Sequence, residues 1–168
     1  LRHAIYNNLI NAEKILDQLD KPDYPIVEIS DFDVDGHDEV LVETKAHNVY
    51  FKLNQGATLF EYDFKAAAKN LLDNISRREE GYHSRLKDAK LADEVSASDN
   101  TASIHDLVLT KEKGLEKYLD YDWYSRNSLI DHFFDDSITL GNYIKSKFRD
   151  LGDFVNQPYK LTKKTKNK

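Results

Sequence analysis

Four short segments that alternate apolar and polar residues, separated by turn-forming residues, constrain the fold of this chain more than any other feature of its sequence. They span residues 26–30, 39–44, 48–53 and 58–62. Alternation at a period of two is typical of strands with one buried face, and short connections favour antiparallel pairing of neighbours. Gly56 and the Asp-Gly pair at 35–36 supply residues that tolerate a positive φ at the turns. The sequence therefore predicts an antiparallel meander.

The first of these turns is acidic, and two interpretations of it remain open. Its carboxylates are Asp31, Asp33 and Asp35. An EF-hand loop would place a glycine at position 6, as Gly36 does here, and a bidentate glutamate at position 12, where this chain has Val42. An EF-hand is therefore excluded. The turn is either a simple hairpin apex or a site where a hard cation such as calcium relieves the repulsion between aspartates, with Glu39 or backbone carbonyls completing its shell.

The composition limits the classes of protein to which the chain can belong. Its 168 residues suit one ordinary domain, and its net charge of −6 with a pI near 5.5 disfavours binding to nucleic acid or to an anionic membrane. There is no cysteine, which excludes disulfides and thiolate metal sites. No apolar run approaches the roughly 20 residues of a membrane span, and we expect a cytoplasmic location. The absence of methionine, even at position 1, indicates a piece of a longer polypeptide.

An amphipathic helix is predicted before the first strand. Apolar residues recur there at three- and four-residue steps: Ile5, Leu9, Ala12, Leu16 and Leu19. This spacing predicts a helix over residues 1–19 with one apolar stripe facing a core. The following "DKPDYP" ends it, because proline lacks an N–H and disfavours helix in the residue before it.

The second half of the chain gives weaker patterns. Alanines and charged residues predict a helix over residues 64–85, although Gly81 weakens its end. Small and polar residues at 87–103 predict a loop, and "SIHDLVLT" predicts a short strand. The basic segment 160–168 has few apolar residues, and we expect it to be disordered.

Two stretches concentrate chemically capable side chains, and each has a structural alternative. In "SRREEGYH", Arg77 or Arg78 could clamp an acidic partner while neighbouring groups move protons, but internal pairing of the arginines with carboxylates is favoured. "LDYDWYSRN" offers aromatic faces and hydrogen-bonding groups that suit a sugar ring; the candidate residues are Trp123, Tyr124 and Arg126. The same aromatic side chains could instead pack in a core.

Other catalytic signatures are missing from the sequence. No P-loop, dinucleotide-binding glycine motif or H-E-x-x-H is present. His105 with Asp106, and Asp131 with His132, are neighbours in sequence, but adjacent residues on a strand point to opposite faces, so neither pair is an obvious dyad.

Five blocks of sequence, in this order, resemble the C-terminal part of glycoside hydrolase family 57, the α-amylase and 4-α-glucanotransferase group. "LRHAIYNNLINAEKILD" resembles the last helix of the family's central helical region, and "DFDVDGHDEVLVET" the acidic hairpin that begins its C-terminal sandwich. "NLLDNISRREEGYH" matches a family run through Asn70, Leu71, Asp73, Arg77, Arg78, Glu80, Tyr82 and His83. "SIHDLVLTKEKGLEKYLDYDWYSRNSLIDHFF" resembles two further segments, and "GDFVNQPY" a later strand. The resemblance covers residues 1–159.

The resemblance implies a mainly β fold with helices: an N-terminal helix followed by an incomplete β-sandwich of the galactose-mutarotase-like kind. Its implied boundaries are 1–20 for the last helix of the helical region, 24–159 for the partial sandwich and 160–168 for the tail. Two features depart from the family pattern. Gln55, Gly56 and Ala57 occupy positions where the family often has paired glycines, and the basic tail replaces further strands.

The resemblance also implies a division of labour. The family's glutamate nucleophile and aspartate acid/base lie on a catalytic barrel upstream, and no carboxylate here matches their motifs, so no catalytic residue is transferred. We expect a fragment that is inactive alone, with the barrel and α-glucan or malto-oligosaccharide as partners and with self-association through uncovered apolar faces. We expect no required cofactor, and calcium binding at the acidic turn stays an open alternative. The alternative is a freestanding carbohydrate-binding or calcium-stabilised β module.

Overall fold

The computed structural model describes residues 1–72, 75–88, 90–91, 109–110, 112 and 114–162. Its helices are α1 (Arg2–Asp20) and α2 (Leu140–Ile144), and its strands are β1 (Ile26–Ser30), β2 (Glu39–Glu43), β3 (His47–Lys52), β4 (Thr58–Phe64), β5 (Lys69–Asn70), β6 (Lys90–Leu91) and β7 (Leu109–Thr110). The chain forms two compact units: Leu1–Ile75 with Tyr124–Thr139 and Phe148–Lys168, and Ser76–Trp123 with Leu140–Lys147.

The first unit contains a five-stranded antiparallel sheet in the order β1-β2-β3-β4-β5. The register places Ser30 opposite Glu39 and Leu41 opposite Tyr50, and it shifts between Tyr50 and Phe51 where β3 meets β4. Because alternate residues share a face, Leu41, Tyr50 and Leu59 are all buried. The predicted meander and its four strands are confirmed, and with α1 they give the mainly β fold with helices that the sequence indicated.

Helix α1 is confirmed, but its predicted orientation is wrong for this chain. The helix ends where Lys21 adopts a left-handed φ of 47° and its N–H bonds to the carbonyl of Asp17 at 3.0 Å. Ile10 is the buried residue of the helix, whereas the apolar stripe is exposed. The stripe faces away from the sheet because the side chains that reach the sheet are polar.

The helix predicted over residues 64–85 is wrong in the part that the structure describes. Phe64 ends β4, Lys65–Ala67 forms one 3₁₀ turn, and Lys69–Asn70 returns as β5. Ala68 has a left-handed φ of 49°, and its N–H bonds to the carbonyl of Lys65 at 3.2 Å. Pairing with β4 therefore overrides the helical propensity of the alanines.

Two later segments of the first unit lie against the sheet without forming regular strands. Ser128 and Leu59 exchange backbone hydrogen bonds of 2.9 and 3.0 Å as an isolated bridge. Gly56, at a φ of 82°, donates its N–H to the carbonyl of Gln157 at 2.7 Å. A Cβ at Gly56 would lie 2.5 Å from the carbonyl oxygen of Phe154, so only glycine fits. The strand suggested for "GDFVNQPY" is thus an irregular segment.

The second unit has little regular structure among its described residues. β6 and β7 form a parallel pair, and 3₁₀ turns cover His83–Asp88 and Leu115–Tyr118. Of the predicted strand at 103–110, only β7 is described, and the disorder predicted for 160–168 lies outside the described residues from 163 onward. Neither α1 nor α2 combines the length and the apolar character that a bilayer-crossing helix requires.

Candidate functional site

The acidic turn between β1 and β2 folds around its own carboxylates. Asp31 accepts the backbone N–H of Asp35 at 2.9 Å on Oδ1 and that of Gly36 at 3.0 Å on Oδ2. Asp35 accepts the N–H of His37 at 2.9 Å, and Gly36 takes a φ of 89°. Aspartate side chains that accept nearby backbone N–H groups are typical of tight turns. The sequence D-x-D-x-D-G therefore supplies the acceptors for three backbone N–H groups of its own turn.

Lys52, on β3, reaches the same turn and neutralises part of its charge. Its ammonium pairs with Asp33 and lies 3.3 Å from Oδ2 of Asp35, which Asn54 also contacts at 3.3 Å. Burial alone would raise the pKa of Asp35, but hydrogen bonds from Lys52 and from the N–H of His37 outweigh it and lower the pKa. Both oxygens of Asp35 therefore have partners within the protein.

Glu39, the first residue of β2, completes the acidic cluster. It is fully buried at 0% exposure, and its Oε2 accepts the N–H of Phe32 at 3.0 Å. Its Oε1 has no hydrogen-bond partner among the described residues. Burial raises the pKa of Glu39, and the charge of Asp33 acts in the same direction. One oxygen from each of Asp31, Asp33 and Glu39 lies within 4.8 Å of the others, whereas Asp35 is not part of this group.

The candidate sugar-binding residues differ in exposure. Trp123, in the second unit, is 41% exposed. Tyr124, in the first unit, is only 6% exposed, with its ring edge-on to His132 and Phe148 at centroid distances of 5.1 and 6.0 Å. Arg126 is half-buried. The ring of Tyr124 therefore packs in the core, which was the alternative that the sequence left open, and Trp123 is the exposed aromatic of the three.

The charged run at 76–83 contributes a structural ion pair within the second unit. Arg77 donates from its backbone N–H to Asp122 at 2.7 Å and pairs with the same carboxylate through its guanidinium. Ser146 donates to Asp122 at 2.6 Å, and the Asp122 side chain has 0% exposure. Asp122 is thus satisfied inside the protein, in line with the internal pairing that the sequence favoured for the arginines.

His132 finds a carboxylate partner that sequence adjacency did not reveal. Its Nδ1 lies 2.6 Å from Oδ2 of Asp150, eighteen residues further along. Burial alone would raise the pKa of Asp150, but hydrogen bonds from His132, Gly152 and Phe133 outweigh it and lower the pKa. The imidazole also stacks on Phe134, so this pair lies inside an aromatic cluster.

Beneath α1 lies a pair of carboxyl groups that sequence reasoning missed, with Asp63 buried and Glu61 half-buried. Glu61 and Asp63 occupy alternate positions on β4, where Tyr6 donates to Glu61 at 3.2 Å and Asn70 donates to Asp63 at 2.9 Å. Burial raises the pKa of Glu61 to about 8, with the charge of Asp63 adding to the effect, and burial also raises the pKa of Asp63. The available signal was the pattern E-Y-D-F-K, which puts three charged residues on one face of a strand.

Lys65 supplies the positive charge for the same region. It is 2% exposed and lies 2.6 Å from Glu13, 3.3 Å from Asp17 and 3.1 Å from the hydroxyl of Tyr24. Burial alone would lower the pKa of Lys65, but Glu13 and its other partners outweigh it and raise the pKa. Asn48 donates to Glu13 at 2.7 Å. We call Glu13, Asp17, Glu61, Asp63 and Lys65 the helix–sheet charge cluster.

The helix–sheet charge cluster borders a cleft through one of its members. A cleft of about 460 Å³ lies near the C-terminal end of α1, and Asp17, Lys21 and Tyr24 are among its lining residues. Glu61 and Asp63 do not line it. Carboxyls that act on a glycosidic bond must flank a substrate in a shared cleft. The described contacts of the cluster hold α1 on the sheet, through Tyr6 on Glu61 and through Lys65 on Glu13 and Asp17.

The outer face of α1 exposes its apolar stripe. The exposed fractions are 50% for Ile5, 60% for Leu9, 57% for Leu16 and 72% for Leu19, and Ala12 is also exposed. Scattered exposed apolar residues are normal, but a continuous stripe along one helix face marks an interaction surface. We call these five residues the α1 stripe.

Comparison with known proteins places these features in context. A family described as "Alpha-amylase/4-alpha-glucanotransferase, C-terminal" matches residues 31–168. The 4-alpha-glucanotransferase of Thermococcus litoralis is 36% identical over 159 residues, which cover 95% of this chain and 23% of that protein. Alpha-amylase 1 of Dictyoglomus thermophilum is 36% identical over 165 residues, which cover 97% and 23%.

A solved structure agrees with the sequence matches. The crystal structure of the Thermococcus litoralis 4-alpha-glucanotransferase superposes with a TM-score of 0.67 at 33% identity, covering 95% of this chain and 22% of that one. The chain thus spans about a quarter of the length of the curated relatives it matches.

Proposed function

The chain belongs to the alpha-amylase/4-alpha-glucanotransferase C-terminal family, and we propose that it acts as a non-catalytic support domain for the catalytic region of an α-glucan-processing enzyme. Its relatives carry the matching segment within proteins about four times as long. Both relatives and family are described by activity on α-glucans, so the remainder of such a protein is the natural partner of this domain.

The α1 stripe is the observation that carries this proposal. The polar side of α1 is engaged by the helix–sheet charge cluster, which fixes the helix on the sheet and leaves the stripe facing outward. Fully burying a Leu or Ile side chain stabilises by about 1.5–3 kcal/mol, so covering four half-exposed ones would contribute several kcal/mol. A helix held by its polar face is suited to docking a second surface with its apolar face.

The carboxyl groups support a non-catalytic role. Glu61 and Asp63, whose pKa values are raised, are bonded to Tyr6 and Asn70 beneath α1. Asp122 and Asp150 are satisfied by Arg77 and by His132, respectively. Within the described residues, these acids all have structural partners, so we expect the isolated chain to release no sugar from starch and to transfer no glucan.

Co-purification tests the proposed docking. The chain would be co-expressed with the part of the Thermococcus litoralis 4-alpha-glucanotransferase outside the matched region, and the amount that co-elutes on size-exclusion chromatography would be measured. We expect a one-to-one complex that the double substitution Leu9→Lys and Leu16→Lys abolishes. The control is Gln18→Lys, which adds the same charge to an exposed polar position of α1. No complex with the original chain, or an undiminished complex with the double variant, would contradict the proposal.

A second role, contact with malto-oligosaccharide, is favoured by the exposure of Trp123. It is the only tryptophan of the chain, and 41% of it is exposed. An exposed indole offers the flat apolar face on which a sugar ring packs. Titration with maltoheptaose should give a saturable change in tryptophan fluorescence, and the β-linked cellohexaose should not. A flat maltoheptaose titration would remove sugar binding by Trp123 and leave the support role untouched.

A further inference from the structure

Three carboxylates of the acidic turn converge more closely than their own repulsion favours. Asp31 and Asp33 follow β1, Glu39 begins β2, and one oxygen from each lies within 4.8 Å of the others. Like charges at this separation repel, and each disfavours ionisation of its neighbours. Lys52 offsets part of this charge, but its ammonium is placed on Asp33 and Asp35 rather than on Asp31 or Glu39. The group keeps an excess of negative charge.

The burial of Glu39 provides an independent observation. The residue is fully buried, and its Oε1 has no hydrogen-bond partner among the described residues. A buried polar atom without a partner costs about 1–3 kcal/mol, and more when it is charged, so most such atoms in proteins are satisfied. Glu39 is also within the oxygen cluster, so an additional positive group there would satisfy its carboxylate.

Asp35 is not placed as the metal ligand that the D-x-D-x-D spacing suggests. Its Oδ1 accepts the N–H of His37, and its Oδ2 contacts Lys52 and Asn54. These bonds shape the turn and position the lysine. Asp31 also accepts two backbone N–H groups, but one of its oxygens converges with oxygens of Asp33 and Glu39, whereas no oxygen of Asp35 does. The converging carboxylates are at the first, third and ninth positions counted from Asp31, and the ninth belongs to the next strand.

We propose that Asp31, Asp33 and Glu39 form a binding site for a hard divalent cation of the calcium class, with Asp35 as a positioning residue. All of the donors are carboxylate oxygens, which suit calcium or magnesium rather than metals that prefer nitrogen or sulfur. Backbone carbonyls and water would complete the shell, since calcium takes six to eight oxygens. Binding would tie the end of β1 to the start of β2 next to the Ser30–Glu39 pair.

Calcium titration of the purified chain tests the site directly. Isothermal titration should show one calcium bound per chain, with magnesium weaker. When calcium exceeds its dissociation constant a hundredfold, the melting temperature followed by circular dichroism should rise by about 5 °C or more, and EGTA should reverse the rise. Absence of both heat and a melting shift would overturn the proposal.

Substitutions separate the proposed ligands from the positioning residue. Glu39→Gln keeps the shape and an acceptor for the Phe32 N–H but removes the charge, and it should weaken calcium binding at least tenfold. Asp33→Asn should do the same, which keeps the test valid if Glu39→Gln does not fold. Asp35→Asn is the matched control and should weaken binding less than threefold. Unchanged affinity in both Glu39→Gln and Asp33→Asn, or a larger loss in Asp35→Asn than in either, would show that these three ligands are assigned wrongly.

Discussion

Two regions of the first unit gather carboxylates around one lysine, and they satisfy those charges differently. Beneath α1, Lys65 is almost fully buried and has Glu13, Asp17 and the Tyr24 hydroxyl as partners. In the acidic turn, Lys52 pairs with two aspartates that are each about one-third exposed, while the fully buried Glu39 keeps an oxygen without a described partner. Oε1 of Glu13, beneath α1, also lacks a hydrogen bond, but it lies 2.6 Å from the Lys65 ammonium, whereas no ion pair with Glu39 is found among the described residues.

The comparison shows that a high density of acidic residues does not by itself indicate a ligand. The helix–sheet charge cluster has at least as many carboxyl groups as the turn, yet lysine, tyrosine and asparagine donors account for its charges. Both regions contain buried acceptors without a hydrogen bond, Oδ1 of Asn48 beneath α1 and Oε1 of Glu39 in the turn, but only the one in the turn is a carboxylate oxygen with no described ammonium beside it. Burial and hydrogen-bond partners, rather than acidic composition, separate a packing device from a binding site.

The largest expected effect is the loss of the buried lysine. Lys65→Met should lower the free energy of unfolding by about 3–5 kcal/mol, because it leaves Glu13 and Asp17 without their buried partner. Urea unfolding followed by circular dichroism measures this loss. Lys69→Met, at an exposed position on β5, is the control and should stay within about 0.5 kcal/mol of the original chain. Equal losses in the two variants would show that Lys65 does not anchor α1.

A smaller effect should follow pH through Glu61, whose pKa is raised to about 8 by burial and by Asp63. Between the ordinary pKa of glutamate and this value the folded state binds the proton more tightly than the unfolded state. The stability that this group contributes is therefore fully present below about pH 4.5 and is lost as the pH rises through 8.

The substitution Glu61→Gln checks this assignment. It should remove most of the fall in unfolding free energy between pH 5 and pH 9 and should make the chain more stable at pH 9, since no proton is lost. Urea unfolding at several pH values gives the profile. A profile in Glu61→Gln that still falls as steeply as before would assign the titration to another group.

The smallest effect is expected in the acidic turn. Measured in EGTA, Lys52→Met should lower the free energy of unfolding by about 0.5–1 kcal/mol, because the aspartate partners of Lys52 are partly exposed and water screens their charges. The loss should shrink further in 1 M salt, unlike the loss in Lys65→Met. The same substitution should strengthen calcium binding, because it removes a competing cation. A loss as large as that of Lys65→Met would abolish the distinction between the two regions.

Much of the fold could be predicted because its signals are local. The alternating segments gave four strands within one or two residues of their observed ends, and the Asp-Gly turn folds through bonds between residues at most five positions apart. The helix predicted over 64–85 was wrong because alanine favours helix only weakly, and pairing of β5 with β4 stabilises an extended backbone instead. The helix propensity of one segment does not include the hydrogen bonds that the segment can form with a neighbouring strand.

The candidate sites were predicted less completely, because they depend on residues far apart in the chain. Tyr124 and Trp123 are neighbours in sequence, but one is buried and the other is exposed. The pair of Glu61 and Asp63 acquires its raised pKa values only when α1 covers β4. Burial is a property of the folded chain, and a sequence pattern records only which side chains share a face.

The sequence by itself determined helix α1, strands β1 to β4 and the turn at the Asp-Gly pair, since each of these follows from residue periodicity and from hydrogen bonds between near neighbours. Only the tertiary structure decided which face of α1 meets the sheet, and that Glu39 rather than Asp35 joins Asp31 and Asp33. The physical reason is that local geometry defines the faces of a helix or strand but not which of them becomes buried. Contacts with distant segments of the chain determine that. Here ion pairs with a buried lysine hold the polar face of α1 against the sheet and leave the α1 stripe exposed.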